Sequence, residues 1–149
     1  MTDLRPDEQE VARAEARAVL AVAADPVYRD ELASLVAAAD EGALDEDEAR
    51  TLERLLELGL QAGRIRAVYG PGGEQAALRL YRRLPRGAEV GASARSVTEA
   101  LGGLSGRRLE SISVDAVGPG AYTLSVAVDG ATLSIRLDRQ GARVGPVAM

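Results

Sequence analysis

Arg79, Arg82, Arg83 and Arg86 recur at i, i+3 and i+4 spacing, which places all four guanidinium groups on one side of a helix. With Arg64 and Arg66 ahead of them they form the one basic concentration in a chain of net charge −5. Guanidinium groups in that pattern can pair with carboxylates of the same chain, dock an acidic protein partner, or hold a phosphate backbone. The first use is favoured, and Arg79, Arg82, Arg83 and Arg86 are kept as candidate partner or anion contacts. Nucleic acid is disfavoured by the acidic total and by a sheet that lacks an aromatic stacking platform.

Composition removes much other chemistry. The chain has no His and no Cys, so the commonest general base, thiolate nucleophiles and the usual soft metal ligands are all missing. Its 18 basic residues are all Arg, so no Lys is available for a Schiff base. The acidic run Asp40, Glu41, Asp45, Glu46, Asp47 and Glu48 lacks the alternating ligands, central Gly and closing Glu of a calcium loop. Capping of a helix start explains it without a metal. Gly70-Pro71-Gly72-Gly73 before a helix could receive an anion on its amides. It has no Gly-Lys-Ser/Thr ending and follows no strand, so a plain turn is preferred. No carboxylate pair stands out for acid–base work. Non-catalytic roles are therefore favoured, with no cofactor and no metal expected. Among four Tyr, Tyr81 and Tyr122 are the candidate polar groups of a small-molecule pocket.

Charge is unevenly spread. Residues 1–58 carry 16 acids against 6 Arg, residues 59–108 carry 9 Arg against 3 acids, and residues 109–149 carry 4 acids against 3 Arg. Two parts of the chain should attract each other, another copy or a partner.

The elements that must position these groups begin with a helix opened by Pro6-Asp7-Glu8. Its Ala-rich stripe of Val11, Ala14, Ala18 and Val22, with Leu20 beside it, has little to bury, so it is expected to be the most peripheral helix or to be held by a partner. A second helix starts at Asp25-Pro26, turns Tyr28, Leu32, Leu35, Val36 and Ala39 inward, and stops at Gly42. A third starts with Asp45 as cap and Glu48 as its capping-box partner, with Leu44 stapled onto Ala49. It runs through Leu52, Leu55, Leu56 and Leu58, and either breaks at Gly63 or continues to Val68. Tyr69 to Gly73 reads as a turn, and Glu74 to Leu84 as a fourth helix. Residues 88–93 read as a linker. Ser96 and Glu99 suggest a second capping box for a short helix at 95–104.

From Leu109 to Val147 the pattern changes to strict alternation in three runs between Gly-containing turns, the mark of an antiparallel meander. Asp129-Gly130 fits a two-residue type I′ turn and fixes the register. Val128 then faces Ala131, Val126 faces Leu133, Leu124 faces Ile135 and Tyr122 faces Leu137, all on one face. A five-residue loop at 117–121 would set Ala116 against Tyr122, Val114 against Leu124 and Ile112 against Val126. Ala142 and Val144 can begin a fourth strand, at an edge because Pro146 follows. The apolar face needs a roof, for which the helix at 95–104 is favoured, helped by Tyr28, Leu55 and Leu78.

The expected architecture is α+β: a helical region over 1–87 with about four helices, then a short helix and a three- to four-stranded meander over 88–149. The expected function is a protein-interaction or assembly module, with self-association through an edge strand or the first helix. A small-ligand domain with a pocket between sheet and helices is the alternative, and nucleic-acid backbone binding through the Arg cluster a second. No apolar run reaches membrane-spanning length, and the cytoplasm is the expected compartment.

Overall fold

A computed structural model describes residues 1–146. The order of elements is β1 (Thr2–Asp3), α1 (Pro6–Leu20), α2 (Pro26–Glu41), β2 (Ala43–Leu44), α3 (Glu46–Gln61), α4 (Arg64–Arg83), α5 (Pro85–Gly102), β3 (Leu109–Gly118), β4 (Ala121–Val128), β5 (Ala131–Asp138) and β6 (Gly141–Val144). This is an α+β fold, five helices followed by a four-stranded antiparallel meander, with a small two-stranded pairing of β1 and β2. The chain divides into two compact units, Met1–Ala88 and Glu89–Met149. Residues 147–149, the end of the stretch read as meander, lie outside the described residues.

In the first unit, local signals place the helix ends. Asp25 accepts the Tyr28 N–H at 3.3 Å, and Gly42 closes α2 with φ 85°. Asp45 accepts the Glu48 N–H at 2.8 Å and Glu48 returns the bond to the Asp45 N–H at 2.8 Å. Gly63, at φ 71°, breaks the chain between α3 and α4. The core joins Leu32, Leu35, Leu44, Leu52, Leu56, Ile65, Leu80 and Leu84. Burial of each such side chain contributes about 1.5–3 kcal/mol.

Three expectations fail here. First, α1 is not peripheral: it lies against α2, α3 and α4. Its buried side is Glu8, Val11, Ala12, Glu15 and Ala16, while Val22 stands in solvent. Ala12 and Ala16 bring little area, but their small size lets neighbouring helices come close. Second, the turn at 69–73 shrinks to Gly70 alone. With φ 74° and ψ −175° it kinks α4, and Pro71 restarts the helix at once. Third, residues 88–93 are no linker but lie in the first half of α5. Ser96 is inside that helix, its hydroxyl donating to the Ala92 carbonyl at 3.2 Å rather than capping anything.

In the second unit the sheet order is β3-β4-β5-β6. Every β4–β5 pair matches the register that the Asp-Gly turn requires, from Val128 opposite Ala131 to Tyr122 opposite Leu137. Asp129 and Gly130 both take positive φ, 46° and 80°, as a type I′ turn demands. Ile112, Val114 and Ala116 face Val126, Leu124 and Tyr122. The preceding loop is tighter than expected: Gly118 already pairs with Ala121, and the ladder shifts between Ala116 and Gly118. The roof is α5. Val97, Ala100 and Leu104 pack with Leu124, Leu133, Ile135 and Ala142, and Ile135 is 1% exposed. Tyr28 and Leu55 serve the helical core instead.

Candidate functional site

Two carboxylates on α1 organise the arginines. Glu8 and Glu15, seven residues apart, fall on one helix face, and both are fully buried. Glu15 accepts Arg64 Nη1 at 2.9 Å on Oε1 and Arg64 Nη2 on Oε2, a two-pronged pairing. The Tyr69 hydroxyl donates to the same Oε1 at 2.8 Å. Burial, then this bond to Glu15 and its charge, push the Tyr69 phenol up to about 12. Glu8 Oε2 accepts the Arg5 N–H at 2.9 Å and Arg83 Nη2 at 2.5 Å. Its Oε1 faces Arg79 Nε at 3.6 Å, too far for a hydrogen bond, and neither atom has another partner among the described residues. The kinked α4 thus clamps α1 twice, from Arg64 and Tyr69 before Gly70 and from Arg79 and Arg83 after it.

The four sequence-identified arginines are therefore largely engaged inside the first unit. Arg79 also pairs with Asp7, Arg83 donates to the Asp3 carbonyl at 2.9 Å, and Arg86 pairs with Glu57 at 3.3 Å. Arg82 forms no ion pair among the described residues and is exposed. Glu53 was not singled out in the sequence. Nearly buried, it accepts the Arg86 N–H and, at 3.0 Å, the Gly87 N–H, and so caps α5 from another helix. Only its place three residues before the buried Leu56 could have hinted at an inward carboxylate.

Tyr81 packs against the helical core, its phenol pushed up by burial and by Glu57 and Glu53. Tyr122 sits on β4 between Ala116 and Leu137, about half exposed. The two belong to different units. Within the acidic run Asp45 and Glu48 cap α3, Asp40 pairs with Arg13 at 3.0 Å and Glu46 with Arg50, and the described residues contain no cluster of acids fit to hold a metal ion. No described helix is long and apolar enough to cross a membrane.

What remains unused is the outer strand. All ten residues of β3 are exposed, including Ile112 at 60% and Val114 at 62%. α5 is centred over β5 and reaches one strand to either side, Leu124 on β4 and Ala142 on β6, so β3, two strands away, lies beyond it. The backbone of β3 is open as well. In the two-residue hairpin, Val128 and Ala131 exchange both hydrogen bonds, so the N–H and C=O of Ala127, Ser125 and Thr123 point to β3. They meet Ser111, Ser113 and Asp115. The N–H and C=O groups of Ile112, Val114 and Ala116 consequently point away from the sheet. The far edge differs. β6 has four residues, carries Arg143 paired to Asp138 at 2.6 Å, and is followed by Pro146. Those features blunt an edge, whereas β3 has length, alternation and a free ladder.

No protein-family model matches the chain, and no curated protein or solved structure matches it significantly.

Proposed function

We propose that the chain is a non-catalytic protein-interaction module whose contact surface is β3. The observation that carries this reading is the coincidence, on Ile112, Val114 and Ala116, of exposed or small apolar side chains with backbone groups free to extend the ladder. An added strand would satisfy those N–H and C=O groups while covering Ile112 and Val114 from the side. Engagement of Arg79, Arg83 and Arg86 by Asp7, Glu8 and Glu57 favours this surface over the arginines as the point of contact. The lack of His, Cys and Lys supports the non-catalytic part.

The test is a photo-crosslinking amino acid placed at Val114 and, separately, at Ser125 on the neighbouring strand. The chain is then irradiated at native abundance in its own cells. An adduct of one defined mass at Val114 and not at Ser125 is the expected result. Equal labelling at both positions, or none at either in the folded chain, contradicts the reading.

A further inference from the structure

We draw no further inference here: the strongest candidate, the open edge and exposed apolar side chains of β3, belongs to the site already described, and nothing in the structure shows what covers it.

Discussion

Glu15 shows how a buried charge is tolerated in this protein. Its two oxygens receive both arms of Arg64 and the hydroxyl of Tyr69, so desolvation is offset by charge-assisted hydrogen bonds. Tyr69 carries a consequence for pH. Its phenol titrates at about 12 in the folded chain against an ordinary 10.0. The folded state therefore holds the proton more tightly than the unfolded state does. That contribution to stability is fully present below pH 10.0 and is lost as pH rises from there to about 12. Urea unfolding midpoints should be flat from neutral pH to the lower limit of this window and fall across it. Tyr69→Phe should lower the midpoint near neutral pH, where the Glu15 bond is lost, and flatten the alkaline fall. A variant that keeps the full wild-type fall contradicts the assignment.

At the scale of elements, α4 depends on one residue. Gly70 holds φ 74° and ψ −175°, a combination essentially reserved for Gly. Gly70→Ala should cost about 1–3 kcal/mol in chemical unfolding. Gly72→Ala, two residues on, lies in helical backbone with nothing within 4 Å of the new Cβ, and should stabilise by about 0.5–1 kcal/mol. Opposite signs from two Gly→Ala changes in one sequence cluster are the expected outcome; equal signs contradict the kink.

Elements governed by local chemistry were legible in the sequence. The caps at Asp25, Asp45 and Gly42 and the register set by Asp129-Gly130 involve residues a few positions apart. Elements governed from a distance were not. The burial of α1 depends on Arg64 and Arg83, far along the chain, and a carboxylate on an inward face looks like a solvent face until its partner is known. Likewise the first half of α5, residues 88–93, reads as a linker because Ala88, Gly91 and Ala92 bury little, yet the helix is started by Pro85 and capped by Glu53 from α3. The alternation of β3 was plain; that the strand lies beyond its roof was not, because one helix covers fewer strands than the alternation alone suggests.

For the whole molecule, the asymmetry of the sheet decides how it meets other molecules. One edge is short, charged and closed by Pro146; the other runs ten residues with its ladder open. Long open edges are liabilities unless a specific neighbour completes them. In this account a partner strand does so, and recognition is inseparable from the C-terminal sheet. Val114 is the residue to change: at 62% exposed it adds little to the fold of the chain, yet an added strand would cover it. The most direct measurement is photo-crosslinking from Ile112 in native cells, on the otherwise wild-type chain and on Val114→Lys, with urea midpoints taken on both. The account predicts a single adduct of defined mass on the wild-type chain and its loss in Val114→Lys at nearly unchanged midpoint. No adduct from the folded wild-type chain, or an adduct that Val114→Lys leaves intact, would contradict it.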